Sequence, residues 1–114
     1  MHIEVRQNQD VMILDLKGRL TAGLGDQILR DAVDELLAEN RKKILLNLSE
    51  VAFLDSAGVG ELVAGLKTAR RFGAELKLLN VGERVYSTLD MTRLLPTFET
   101  YDDEAEAVRS FGPA

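Results

Sequence analysis

Residues 43–81, KILLNLSEVAFLDSAGVGELVAGLKTARRFGAELKLLNV, decide the fold of this chain. They begin with KILLNL at 43–48, a continuous apolar run of strand length, and end with a second strand pattern, ELKLLNV at 75–81. Between the two, Gly73 is placed to end a helix whose apolar face recurs at helical spacing: Val59, Leu62, Val63, Leu66 and Ala69. Because a helix that connects two strands of one sheet leaves them parallel, this stretch predicts an α/β fold.

The residues before this unit predict an antiparallel hairpin. Two short β-prone runs, residues 3–5 and 11–16, are separated by RQNQD, which suits a turn between antiparallel strands. Within VMILDL, at 11–16, apolar and polar residues alternate only in part. We therefore expect this strand to be covered on both of its faces.

The rest of the pattern completes the order β-β-α-β-α-β-α-β-α. GRLTAGLG at 18–25 reads as a loop, and a first long helix is expected from Asp26 to about Asn40. After the strand at 75–81 we expect a short helix, an extended segment at 97–101 and a last helix capped by Asp102. The prediction is a mixed sheet of four to five strands, with about four helices, in an α/β fold.

Charged residues are expected on the outward faces and at the ends of the predicted helices. On the second helix, Glu61 falls among the residues of the outward face. The basic cluster at 41–43 follows the first helix, where we expect it to complement the negative end of the helix dipole. The acidic run at 102–106 is interpreted as the charged first turn of the last helix rather than as a cation site.

Length and composition indicate one globular domain, residues 1–114. The hydrophobic share of 46% and charged share of 29% are ordinary for such a domain, and no apolar run suggests insertion into a membrane. The first ten residues lack the pattern of a signal peptide, so we expect a cytoplasmic protein. The absence of cysteine excludes thiolate chemistry, and a net charge of −5 disfavours direct binding to nucleic acid.

Ser56, in FLDSAGVG at 53–60, is the residue whose role the sequence leaves to be decided. A hydrolase elbow requires Gly-x-Ser-x-Gly, but the first glycine is missing, and nothing marks the single histidine, His2, as a base. Gly58 and Gly60 form only part of a dinucleotide fingerprint, and no lysine follows them as a phosphate-binding loop requires. Hydrolysis and tight nucleotide binding are therefore not supported.

Two interpretations of Ser56 remain open. Either Asp55 or Ser56 caps the second helix by accepting a hydrogen bond from a free backbone N–H. Alternatively, Ser56 is a site of phosphorylation, because the start of a helix tolerates an added phosphate. Such a phosphate adds about −1.5 to −2 charges and would oppose the docking of a partner.

Several segments together resemble the STAS domains of bacterial anti-sigma-factor antagonists. The resemblance covers nearly the whole chain, from GRL at 18–20 through FLDSAG at 53–58 and LKLLNV at 76–81 to YDDEAEAV at 101–108. It implies the STAS fold, whose order of strands and helices agrees with the order predicted above.

By this resemblance, Ser56 is phosphorylated by the partner anti-sigma factor, which is itself a serine kinase, and a metal-dependent serine phosphatase restores it. The unphosphorylated protein would capture the anti-sigma factor and so free a sigma factor, and the phosphorylated protein would release its partner. The chain would then be a ligand and a substrate, not an enzyme. It would need no metal or cofactor of its own, because these belong to the partner enzymes.

The predicted partner-binding surface surrounds the start of the second helix and extends into TAGLG at 21–25. The family often has an acidic residue where Thr21 stands here, and many relatives have a second hydroxyl where this chain has Ala57. The predicted contact residues are Thr21, Asp55, Ser56, Ala57, Gly58 and Val59.

Other uses of the same domain remain open. STAS domains also occur beside lipid and anion transporters, so the chain could be an adaptor subunit of a membrane transport complex, with Ser56 a cap or a contact. It could also be a module of a larger stress-signalling assembly. The expected oligomeric state is a monomer or a weak dimer.

Overall fold

A computed structural model describes residues 1–113, apart from the side chain of Leu24. Ala114, the last residue of the predicted domain, lies outside the described residues. Residues 1–113 form five strands and four helices: β1 (His2–Asn8), β2 (Val11–Leu20), α1 (Leu24–Ala38), β3 (Lys43–Leu54), α2 (Ser56–Arg71), β4 (Glu75–Leu79), α3 (Glu83–Met91), β5 (Thr100–Tyr101) and α4 (Glu104–Ser110), with a short 3-10 turn at Leu95–Thr97.

The strands form one mixed sheet in the order β1-β2-β3-β4-β5. β1 and β2 pair antiparallel, with Asn8 opposite Val11, and the turn between them places Gln9 at a φ of 56°. β2, β3, β4 and β5 pair parallel. The predicted fold class, including the N-terminal hairpin, is therefore confirmed.

Helices cover both faces of this sheet. Met12 and Leu14 of β2 point into a large core that also contains residues of α1, α2 and α3. Val11 and Ile13 point into a smaller core closed by α4. This arrangement explains the incomplete alternation of β2, because both of its faces are buried.

The ends of several elements differ from the prediction. β4 ends at Leu79 rather than at residue 81, and the extended segment expected at 97–101 is strand only at Thr100–Tyr101. GRL at 18–20 is strand rather than loop, because β2 stays paired with β3 through two register irregularities as far as Leu20. α1 ends at Ala38, and Asn40 has a left-handed φ of 63°. The cap of α4 is Asp103 rather than Asp102, since the Asp103 carboxylate accepts a hydrogen bond from the Ala105 N–H at 3.0 Å.

Two predictions about charged residues also need correction. The basic cluster does not act as a whole on the end of α1. Arg41 lies 4.0 Å from Glu39, the C-cap of α1, but Lys42 donates to the carbonyl of Phe72 at the end of α2, and Lys43 lies 2.6 Å from Asp10. Glu61 does not face outward. Its side chain is 6% exposed and pairs with Arg30 of α1 at 2.8 Å, because a buried carboxylate needs a partner.

Within residues 1–113, no helix has the length and apolarity needed to cross a membrane.

Candidate functional site

The loops that follow β2 and β3 meet at one edge of the sheet. These strands are parallel neighbours, and their last residues, Leu20 and Leu54, lie opposite each other. A Cβ at Gly58 would overlap the carbonyl oxygen of Leu20, and one at Gly25 would come within 2.6 Å of the carbonyl oxygen of Arg19. Glycine at both positions therefore allows the starts of α1 and α2 to approach the end of β2.

Asp55 joins the two loops through backbone hydrogen bonds. One carboxylate oxygen accepts from the Ala22 N–H at 3.0 Å, and the other accepts from the Gly58 N–H at 2.9 Å. The second bond makes Asp55 the cap of α2. The N–H groups of Ala22 and Gly58 lower the pKa of the Asp55 carboxyl below its usual range, so the negative charge that an aspartate has at neutral pH persists to lower pH.

Ser56 is the first residue of α2, and its side chain is exposed. Since Asp55 accepts the capping hydrogen bond, that structural role does not fall to the Ser56 hydroxyl. α2 is 16 residues long, and its first turn contains no acidic side chain. The hydroxyl therefore stands at the positive end of a long helix, accessible from solvent.

The predicted contact residues divide into an outer and an inner group. Ser56 is exposed, and Thr21, Asp55 and Ala57 are half-buried, so all four reach the surface. Gly58 and Val59 are buried, and Val59, at 4% exposure, packs in the large core. Gly58 and Val59 therefore support the surface from beneath, and the four outer residues are the ones available for direct contact with a partner. The side chain of Leu24, in the predicted extension of this surface, lies outside the described residues.

A groove beside the site was not predicted from the sequence. It has a volume of ≈ 490 Å³ and begins two residues before Ser56, between the end of β3 and α3. Its wall includes Phe53, which is 40% exposed and lies under the Arg19 guanidinium at 4.8 Å from the ring centre. The groove is lined by Phe53, Leu54, Glu83, Arg84, Ser87 and Thr88.

The sequence contains little that would predict this groove. The one local signal is the pair Ala52 and Phe53, which are both exposed at the end of a strand whose first half is a continuous apolar run. The opposite wall comes from α3, about 30 residues later in the chain. Local periodicity does not show which helix will lie beside a given strand end.

Within residues 1–113, neither the histidine nor a metal-binding cluster lies next to Ser56. His2 lies on β1, which β2 separates from β3 in the sheet, so the single histidine is not placed next to the serine. The part of the chain that the structure describes contains no group of three or more His, Asp or Glu side chains able to hold a metal ion.

Comparison with known proteins places this arrangement in a family. The model of the STAS domain matches residues 2–107. The anti-sigma F factor antagonist of Paenibacillus polymyxa is 29% identical over 109 residues, which cover 95% of this chain and 92% of that protein. The anti-sigma-B factor antagonist of Bacillus subtilis (strain 168) is 29% identical over 94 residues, covering 82% and 84% of the two chains.

Solved structures agree in fold. The anti-sigma factor antagonist SpoIIAA in its unphosphorylated form matches with a TM-score of 0.81 at 19% identity, over 96% of each chain. The phosphorylated form of the Bacillus protein SpoIIAA matches with a TM-score of 0.74 at 18% identity, over 96% of this chain and 99% of SpoIIAA. The chain belongs to the STAS domain family, and its curated relatives are named as anti-sigma-factor antagonists.

Proposed function

We propose that this protein is an anti-sigma-factor antagonist that acts by partner switching in the cytoplasm. Its unphosphorylated form binds an anti-sigma factor with serine kinase activity, which then releases its sigma factor. Phosphorylation of Ser56 by that kinase ends the complex, and a serine phosphatase restores the binding form. In this scheme the protein is a ligand and a substrate rather than a catalyst.

The observation that carries the proposal is the division of roles between Asp55 and Ser56. Asp55 accepts the capping hydrogen bond of α2 and ties down the loop after β2. Ser56 is exposed beside it, at a helix start. A phosphate can therefore be added to Ser56 without removing a capping interaction, and the helix dipole favours its negative charge.

The same division explains why a phosphate would oppose partner binding. Asp55 is ionised at neutral pH, as an aspartate ordinarily is, and backbone N–H groups lower its pKa further. A phosphate on the next residue would add about −1.5 to −2 charges to this fixed carboxylate. Burying both groups against a partner without several basic side chains would be strongly unfavourable.

The surface offered to the partner has a polar centre and an apolar flank. Thr21, Asp55, Ser56 and Ala57 form the centre, with Gly58 and Val59 beneath them. The groove beside Phe53 supplies the flank, and it could receive an apolar side chain of the partner at its Phe53 and Leu54 wall. In this proposal Ser56 lies at the border of the two parts, where an added charge affects both.

Support for a switch also comes from the fold itself. SpoIIAA has been solved in unphosphorylated and phosphorylated forms, and both match this chain with TM-scores above 0.7. The STAS fold can therefore contain a phosphorylated residue and stay folded. Extending this behaviour to Ser56 of the present chain is part of the proposal.

The test is the affinity for the kinase-type anti-sigma factor of the same organism, measured by calorimetry without ATP. Ser56→Asp should weaken binding more than a hundredfold, which corresponds to about 3 kcal/mol. Ser56→Ala should bind within about threefold of the wild type, because its surface stays uncharged. Ser49→Asp adds the same charge at another exposed serine, in the middle of β3, and should leave the affinity nearly unchanged.

Two results would contradict the proposal. One is full affinity of Ser56→Asp in a protein whose circular dichroism matches that of the wild type. The other is equal weakening by Ser49→Asp, which would indicate a general effect of charge. Stable binding of a transporter instead of the anti-sigma factor, unaffected by either change, would support the adaptor role.

A further inference from the structure

A second surface lies between β1 and α1. β1 is the first strand in the sheet order, so one of its edges has no neighbouring strand among the described residues. The strand has seven residues, contains no proline, and includes Val5 at 53% exposure. Edges of this kind present free backbone N–H and C=O groups to a further strand.

Two adjoining depressions run between this edge and α1. Their volumes are ≈ 450 and ≈ 200 Å³, and both are lined by Val5, Ala32 and Glu35, so they form one groove. Ile3, Val5, Ile28 and Ala32 contribute apolar surface to it. We call this surface the β1–α1 groove.

The rim of the β1–α1 groove is acidic. Asp31 and Glu35 of α1 line it together with Glu39, the residue that follows the end of the helix, and all three are exposed. Only Glu39 lies near a basic side chain, 4.0 Å from Arg41, in the described part of the chain. Neither depression has a lysine or an arginine among its described lining residues, and the larger one is also lined by Met1 and the exposed His2. The groove therefore combines an apolar floor with a negative rim.

An apolar floor with an acidic rim favours a binding partner that has both aliphatic and basic side chains. We propose that the β1–α1 groove binds an extended segment of a partner protein that pairs with the free edge of β1. Alternate side chains of that segment face the groove, where aliphatic groups cover the floor and lysine or arginine side chains reach the acidic rim. A second copy of this chain fits less well, because a two-fold pairing through this groove would bring two acidic rims together in a protein of net charge −5.

The proposal goes beyond the switch at Ser56 and does not depend on it. The groove lies at β1 and α1, whereas Ser56 follows β3, and β2 separates β1 from β3 in the sheet. A protein with both surfaces can hold one partner by the groove while the other surface engages or releases the anti-sigma factor. Ser56→Asp should therefore leave binding at the groove unchanged.

The test uses the whole protein, labelled with ¹⁵N, and synthetic peptides up to about 1 mM, a range that detects weak complexes. The probe TVTKTVTKT places two valines and two lysines on one face of an extended strand. The matched peptides are TVTETVTET, which reverses the charge, and TVTKPVTKT, whose central proline opposes strand pairing. We expect the first peptide to shift amide signals within β1 and α1, and the other two to bind at least tenfold more weakly.

Charge variants of α1 locate the site. Glu35→Lys changes a residue of both depressions and should weaken binding of TVTKTVTKT at least tenfold. Asp34→Lys makes the same change of charge at the preceding residue, which is exposed but lies outside the groove, and should alter the affinity less than threefold. Equal effects of the two variants, amide shifts elsewhere, equal binding of the control peptides, or no binding at all would overturn the proposal. Dimerisation of the protein alone, abolished by Glu35→Lys, would overturn it in favour of a second copy.

Discussion

The start of α2 and the attachment of α4 use charged residues in different ways. At the start of α2, the Asp55 carboxylate accepts hydrogen bonds from two backbone N–H groups and leaves Ser56 exposed. At α4, the Arg6 guanidinium of β1 donates to Asp15 of β2 and to Glu104 of α4. Asn8 also donates to Glu104, at 2.9 Å.

This difference distinguishes a candidate regulatory site from a cluster that only attaches one helix to the sheet. The Arg6 cluster joins side chains to side chains, and its guanidinium offsets part of the negative charge of two carboxylates while it attaches α4 to the sheet. The Asp55 arrangement fixes the backbone of two loops with one carboxylate, and its negative charge has no basic side-chain partner among the described hydrogen bonds. Polar residues that organise backbone and leave a nucleophile exposed are the better candidates for regulation.

The largest expected effect comes from breaking the close approach at the start of α2. Gly58→Ala would place a methyl group against the Leu20 carbonyl oxygen and 2.7 Å from the Leu54 Cδ1 atom. We expect a loss of about 3 kcal/mol or more in the free energy of unfolding, measured by urea denaturation. Gly60→Ala is the matched control on the same helix, because a Cβ there meets no atom within 4 Å. It should stabilise the protein by up to about 1 kcal/mol, and equal destabilisation by the two changes would contradict the close packing.

An intermediate effect is expected from breaking the Arg6 cluster. Arg6→Ala leaves Asp15 and Glu104, whose pKa values Arg6 lowers, without their shared partner. Because the Arg6 side chain is 41% exposed, solvent moderates the loss, and we expect Tm to fall by about 4 to 8 °C. Amide exchange should increase first in α4, and phosphorylation of Ser56 should not change. Lys67→Ala, at an exposed position of α2, should change stability by less than about 0.5 kcal/mol; an equally large fall in Tm would rule out a specific tie.

The smallest effect concerns the pH dependence at Asp55. Its pKa in the folded protein lies below the ordinary value of about 3.9. The carboxylate therefore contributes stability above that ordinary value, and the contribution is lost as pH falls through the folded-state pKa. Asp55→Asn keeps one acceptor oxygen for the cap but loses the charge and the second acceptor for the Ala22 N–H. The wild type should be more stable than this variant at about pH 7, and the difference should shrink towards about pH 3.

Ser56→Ala is the matched control for this measurement. Since Asp55 caps α2, the alanine variant should unfold at the same urea concentration as the wild type at both pH values. A loss of stability in Ser56→Ala as large as that in Asp55→Asn would show that the serine shares the structural role. In that case the division between Asp55 and Ser56 would be wrong.

Most of the fold could be predicted from the sequence because its elements follow local periodicity. The apolar runs of β3 and β4 and the helical spacing of α2 are readable within about 15 residues each. The ends of the strands and helices were harder to predict. β2 continues to Leu20 because it pairs with Leu54, a residue 34 positions later, and no local pattern reports that pairing.

The site shows the same limit. Ser56 and Asp55 could be identified because a short polar pair follows an apolar strand. Their roles could not be separated, since aspartate and serine are both good caps. The deciding contact is the Ala22 N–H, 33 positions earlier in the chain. Glu61 was placed on the wrong face for a similar reason, because its partner Arg30 belongs to α1.

The most direct test of the central claim is the site of phosphorylation. The wild type and Ser56→Ala would be incubated with Mg-ATP and the kinase-type anti-sigma factor, and peptides would be mapped by mass spectrometry. We expect one phosphate in the wild type, on Ser56, and none in the variant. A wild type that remains unmodified by an active kinase, or a phosphate on another residue, would contradict the assignment of Ser56 as the switch.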